Sequence, residues 1–187
     1  MVEVNKERML AEFKEMVGIP CHSLHEREIF NYLKAKLEGL GFEVTEDNAN
    51  EKLGGECGNL WAFLPGNKQG ATRVLLSSHM DGVEPCGGTT VVQKDGILYS
   101  DGTTILGGDD KSGVGAILEG LRLMQEQNLE HGDIQILFTI AEEGGVNGSR
   151  CMDQSKLQAD VAYAMDSEGA PGEIIIGAPG QYKYTIE

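Results

Sequence analysis

The chain has 187 residues, 40% hydrophobic and 24% charged, the balance of a globular protein with enough polypeptide for one well-filled core. Fifteen basic side chains stand against 30 acidic ones, for a formal net charge of −15. A field of that sign excludes nucleic acid and anionic membranes as main partners, and no apolar run approaches the roughly 18 residues of a membrane helix. The stretch from Glu3 to Glu15 is polar and acidic, unlike a signal or transit peptide. Cys21, Cys57, Cys86 and Cys151 lie far apart without a C-x-x-C pair, which argues against a thiolate zinc site. With no export signal they are expected to stay reduced, and the chain reads as cytoplasmic.

Asn5 to Val17 is expected to be helical, with Met9, Leu10, Phe13, Met16 and Val17 on one apolar stripe, ended by Gly18-Ile19-Pro20. Ser23-Leu24-His25-Glu26 has the form of a capping box, in which the Ser23 hydroxyl and the Glu26 carboxylate satisfy each other's free amides. The helix behind it turns Ile29, Phe30, Leu33, Leu37 and Leu40 inward; His22 and His25 read as surface or capping residues. Phe42 to Glu46 and Asn59 to Leu64 are expected strands joined by a polar loop. The aliphatic-rich run from Arg73 to Ser78 reads as a buried strand that stops on His79 and Asp81. Thr89 to Gln93 and Ile97 to Ser100 flank Lys94-Asp95-Gly96, a hairpin expected at the margin of the sheet.

Val114 to Gln127 is expected as a helix with Val114, Ile117, Leu118, Leu121 and Met124 on one face. Asp133 to Ile140 reads as a strand, Arg150 to Gln158 as a short helix and Val161 to Met165 as a buried strand. Glu173 to Ile176 and Gln181 to Ile186 read as two more short strands. The alternation predicts an α/β fold with a three-layer, mixed, mostly parallel central sheet flanked by helices.

Four segments carry chemistry where carboxyl ends of strands are expected, the edge at which open α/β sheets collect ligands. They are His79-Met80-Asp81, Asp109-Asp110, Glu142-Glu143 and Asp166. Singly, each has a plain structural reading: H-x-D is a weak signal, Asp109-Asp110 suits a helix N-cap, Glu142-Glu143 suits a surface loop and Asp166 a turn. Their conjunction points to metal. Two carboxylates about 4 Å apart repel by about 4 kcal/mol at an effective dielectric near 20, and divalent ions turn that repulsion into ligation. Imidazole with carboxylates suits zinc, with cobalt or manganese as substitutes.

The motifs H-M-D, G-G-D-D-K-S-G, A-E-E-G-G and Y-A-M-D, in this order and spacing, resemble those of the M20 family of co-catalytic zinc peptidases. The tripeptide aminopeptidase branch is the nearest likeness, and His131-Gly132-Asp133-Ile134 fits it too. The resemblance covers nearly the whole chain. It implies release of the N-terminal residue of a short peptide by water activated between two zinc ions. It further implies that Asp109 bridges the metals, that His79 and Asp166 complete one metal's protein ligands, and that Glu143 binds the other. Glu142 would be the general base, and Asp81 would stand behind His79 and fix its tautomer. Asp110 is left as a helix-cap group or one that supports the ligands from behind, and Ser167 and Glu168 receive no role.

The resemblance also implies more polypeptide. M20 enzymes continue through a lid or dimerisation domain and return to finish the catalytic domain, supplying a last histidine to the Glu143 metal. Residues 1–187 therefore read as the N-terminal segment of that catalytic domain, with little activity expected alone. His131 precedes its strand and lies at the wrong edge to replace the missing ligand. A dipeptidase, carboxypeptidase or N-acyl amino acid deacylase of the family would leave the same four motifs. From another class, the rival reading is a non-catalytic metal-binding fragment that self-associates through an unfinished sheet edge.

Overall fold

The computed structural model describes residues 3–170, 172–178 and 180. In chain order the elements are α1 (Lys6–Gly18), α2 (Arg27–Gly39), β1 (Glu43–Glu46), α3 (Ala49–Leu53), β2 (Leu60–Leu64), β3 (Val74–His79) and β4 (Val91–Lys94). Then follow β5 (Ile97–Ser100), α4 (Gly108–Glu126), β6 (Ile134–Thr139), α5 (Asn147–Cys151), a 3₁₀ turn (Gln154–Lys156) and β7 (Val161–Ala164).

The central sheet has the order β1-β2-β6-β3-β7. β3 is parallel to both β6 and β7, whereas β2 is antiparallel to β1 and β6, so every strand except β2 points the same way. Parallel neighbours need a long crossover, and α4 provides it between β3 and β6. The fold is therefore the mixed, mostly parallel α/β sheet expected.

Alternation along β6 divides the two faces. Ile134, Ile136 and Phe138 enter the main core with Met16 of α1, Ile29, Phe30, Leu33 and Leu37 of α2, and Val114, Ile117, Leu118 and Leu121 of α4. Burying each such aliphatic side chain is worth about 1.5–3 kcal/mol, so this face carries most of the hydrophobic stabilisation. Leu137 faces the other way, into a small cluster with Trp61 and Leu75 that Met152 and Ala159 cover. The third layer is thus thin. It is also not the continuous helix expected from Arg150 to Gln158: Asp153 accepts from Ser155 N at 3.0 Å and folds the segment into a local turn, the usual way Asp and Ser side chains compete with helix. Gln135 secures this segment, donating to Lys156 O at 2.7 Å and accepting from Gln158 N at 2.8 Å.

Other expectations need correction. β7 was expected to be buried, yet its residues are half-buried or exposed, because no strand lies beyond it among the described residues. Glu173 to Ile176 is not a strand; Ile174 and Ile176 are 70% and 97% exposed. The strand expected at Gln181 to Ile186 lies outside the described residues. α3 interrupts the polar loop after β1. The hairpin β4–β5 forms, with Asp95 and Gly96 both at positive φ as a tight primed turn requires, but as a separate two-stranded sheet. The α1 stripe is buried only at Met16 and Val17. Met9, Leu10 and Phe13 line an open groove of about 560 Å³ with Leu98 and Leu106.

The exposed strand β7 is moored to β3 by Arg73 and Asp160. The Arg73 guanidinium reaches Asp160 Oδ1 at 2.6 Å, and Arg73 N donates to Asp160 Oδ2 at 2.9 Å. These bonds hold the Asp160 carboxyl down at about 2, below its unfolded value near 3.9. The contribution is present above the unfolded value and lost as pH falls through the folded one. Arg73→Ala should lower the thermal midpoint at neutral pH, and the gap to the parent should close between about pH 4 and pH 2. Thermal melts across that range check this; a gap independent of pH would count against it.

Candidate metal centre

β3 delivers His79 to the carboxyl edge of the sheet, and Met80 N donates to Thr139 O at 2.9 Å just before β3 and β6 part. His79 is 2% exposed and Asp81 is wholly buried. His79 Nδ1 meets Asp81 Oδ1 at 3.2 Å, and its Nε2 meets Asp109 Oδ1 at 2.9 Å. Burial alone would lower the imidazole pKa. The hydrogen bonds to Asp81 and Asp109 outweigh it and push the group up to about 9. Asp81 shows the opposite balance: burial raises it, but His79, Ser23 and the Glu142 amide together hold it below the usual carboxylate range. Behind this pair the buried Lys111 Nζ donates to Met80 O and Asp81 O, each at 2.8 Å.

Asp109 arrives from the start of α4 and not from a strand end. Gly107 takes a left-handed φ of 76°, and Asp109 and Asp110 depart from helical angles. The Asp109 side chain stays 70% exposed while reaching His79. Asp110 turns inward, its Oδ2 accepting from Ser78 Oγ at 2.5 Å and its Oδ1 from Gly113 N at 3.1 Å. It is the capping group expected of it, and burial pushes it up to about 6. A Cβ at residue 113 would collide with that carboxylate, which explains Gly113.

Glu142 and Glu143 follow β6 on a turn whose backbone amides are held one after another. Ile140 N donates to Asn59 Oδ1 at 3.1 Å, Ala141 N to Glu26 Oε1 at 3.0 Å, Glu142 N to Asp81 Oδ1 at 3.0 Å and Glu143 N to Asp81 Oδ2 at 3.2 Å. Burial raises the pKa of Glu142, with Asp166 and Glu143 adding to it and His79 opposing. Glu143 is raised by burial and then by Asp109. Asp166 follows the end of β7.

Two groups of ligand atoms result, each with all atoms within 4.8 Å of one another: His79 with Glu142 and Asp166, and His79 with Asp109 and Glu143. One imidazole with two carboxylates is a donor set of the zinc type, and burial first, then neighbouring carboxylates, raises both glutamates. The residues fit a divalent metal. All four residues implied as ligands, His79, Asp109, Glu143 and Asp166, fall within these groups, and Glu142 lies beside His79 and Asp166. The other histidines stay apart: His22 and His25 stack at 4.3 Å in the early turn, and His131 lies before β6. Asn59, Glu26 and Lys111 carry no ligand signal in the sequence; they act on the centre through the backbone that they hydrogen-bond.

Fold and site together define an α/β domain with a candidate divalent-metal centre at the carboxyl edge of its sheet. The chain belongs to peptidase family M20/M25/M40, whose profile matches residues 75–186. It is 43% identical over 180 residues to the uncharacterized protein YqjE of Bacillus subtilis, covering 96% of this chain and 48% of that protein. It is 30% identical over 184 residues to the cytosol non-specific dipeptidase of Escherichia coli, covering 92% of this chain and 36% of that one. The crystal structure of aminopeptidase PepT from Bacillus cereus superposes with a TM-score of 0.90 at 40% identity, over 92% of this chain and 46% of that one. The chain thus spans less than half the length of these relatives.

Lys111→Met should lower the unfolding free energy by about 3 kcal/mol, because two buried carbonyls lose their donor. Urea denaturation measures it, and an unchanged midpoint would show that water replaces the ammonium without cost.

Proposed function

We propose that this chain is the N-terminal segment of an M20 catalytic domain that hydrolyses short peptides and releases their N-terminal residue. It uses two divalent ions, zinc by the donor set, and works in the cytoplasm. The observation that carries this reading is the meeting of two acidic triads on one imidazole at the carboxyl edge of a parallel sheet. The likeness to an aminopeptidase and a dipeptidase supports a peptide substrate. The strong negative charge speaks against nucleic acid and anionic membranes, and no helix among the described residues is long and apolar enough to cross a membrane.

His79, Asp109, Glu143 and Asp166 would hold the metal. Bound there, a divalent ion supplies Lewis acidity, polarising the scissile carbonyl and bringing water into the range of a neutral-pH nucleophile. Asp81 keeps the His79 ring in one tautomer through Nδ1, so Nε2 faces the ligands. Glu142, half-buried among acidic neighbours, takes the proton of the attacking water and passes it to the leaving amine nitrogen.

One constraint follows from the imidazole. Nδ1 is engaged by Asp81, so a single nitrogen serves both triads. One ion gains a histidine, and a second is left with carboxylates among the described residues. The lid and the returning segment of a longer protein would complete that second position. The open edge at β7 is a place where such a segment, or a second copy, would add to the sheet. The dipeptidase likeness supports a second reading, in which dipeptides are preferred; relative kcat/KM on dipeptides and tripeptides in the longer protein decides between them.

Titration calorimetry of metal-free protein with zinc should give one tight site, weakened by about 100-fold or more in His79→Ala. Two tight sites would mean that another group replaces the missing ligand, and absence of binding would remove the metal reading. Tripeptide turnover by this chain should fall far below that of a longer relative; comparable turnover would contradict the segment reading.

A further inference from the structure

The stretch Ser23-Leu24-His25-Glu26 has the form of a capping box, yet the structure uses it otherwise. α2 starts at Arg27 without any side-chain capping bond. Ser23 Oγ donates instead to Asp81 Oδ2 at 2.6 Å. Glu26 Oε1 accepts from Leu24 N at 2.8 Å and from Ala141 N at 3.0 Å. Leu24 and Ala141 are both non-glycine residues with left-handed backbones, at φ of 72° and 49°. One carboxylate oxygen therefore holds two residues in a conformation that side chains disfavour.

Glu26 is wholly buried, and its Oε2 has no hydrogen-bond partner among the described residues. Packing alone does not call for a carboxyl group here; what Glu26 supplies is an acceptor for the amides of Leu24 and Ala141, which an apolar side chain of similar size would leave unpaired. Its position explains it. Ala141 is the last residue before Glu142 and Glu143, and its left-handed φ turns the chain out of the β6 direction so that the next two amides meet Asp81.

We infer that Glu26 is a positioning residue for the metal centre, holding Ala141 so that Glu142 and Glu143 face His79, while Ser23 does the matching work on Asp81. The inference rests on the metal-centre reading above. It assigns Glu26 no contact with metal or substrate; its action passes through one backbone amide.

Zinc titration of metal-free variants, with the fold checked by circular dichroism and thermal midpoint, separates positioning from general stability. Glu26→Gln keeps an oxygen acceptor for Ala141 N and should bind zinc within about threefold of the parent, whereas Glu26→Ala, and Glu26→Asp with its shorter reach, should bind about tenfold or more weakly. Leu33→Ala, a core truncation in α2 away from the turn, should lower the midpoint and leave affinity within about threefold. Folded Glu26→Ala or Glu26→Asp protein with parental affinity would overturn the inference, as would Leu33→Ala weakening zinc equally. If Glu26→Ala does not fold, Glu26→Asp decides by the same criterion. A parent that takes no zinc removes the metal reading and this inference together; a parent that binds while the Glu26 variants match it removes this inference alone.

Discussion

Where β6 stops pairing with β3, the amides of Ile140, Ala141, Glu142 and Glu143 each need an acceptor, and each finds a side chain brought from elsewhere in the sequence. A buried amide left without a partner costs about 1–3 kcal/mol, so four together outweigh any local preference of the turn. Asn59 comes from the start of β2, Glu26 from the turn before α2 and Asp81 from beyond β3. The glutamates of the centre are therefore placed by tertiary hydrogen bonds, and the glycine-rich turn after them only permits the path. Gly148 shows how tight it is, because a Cβ there would run into the Ile140 carbonyl.

Three buried carboxyl groups belong to the surroundings of His79 and this turn, Asp81 and Glu26 bonding the turn itself and Asp110 bonding Ser78 beside His79, and their protonation tendencies differ for a reason that can be counted. Burial raises all three. Asp81 accepts from His79, Ser23 and two backbone amides, enough to overcome burial. Glu26 has two amides on one oxygen and none on the other, and it is pushed up to about 6. Asp110 has one hydroxyl and one amide and is likewise at about 6. The charge concentrated on Asp81 is the one that keeps the His79 ring oriented.

The sheet, the three main helices and the residues that meet at the candidate centre are legible because each depends on a local pattern: alternation, a 3.6-residue stripe, or a carboxylate after an apolar run. What was not legible depends on partners distant in sequence. Ser23 and Glu26 fit a capping box as written, and only the proximity of Asp81 and Ala141 diverts them. Val161 to Ala164 has the composition of a buried strand whether or not another strand lies beside it. Asp109 reads from the sequence as a strand-end residue, because nothing in Gly107-Gly108 tells a left-handed helix entry from a strand exit. Arg150 to Gln158 lost its helix to one aspartate.

The chain contains a single tryptophan. Trp61 is almost fully buried in the small cluster on the thinly covered face, and its indole N–H donates to Asp47 Oδ2 at 3.1 Å. The same oxygen accepts from Asn59 Nδ2 at 2.9 Å, and Asn59 Oδ1 in turn holds Ile140 N. The one strong intrinsic fluorophore is thus linked through two side chains to the strand end that presents the glutamates, while touching none of the ligands. Its emission is a built-in gauge of that strut: silent to what binds at the edge as long as the turn keeps its shape, and responsive once the hydrogen-bonded chain from indole to turn comes apart.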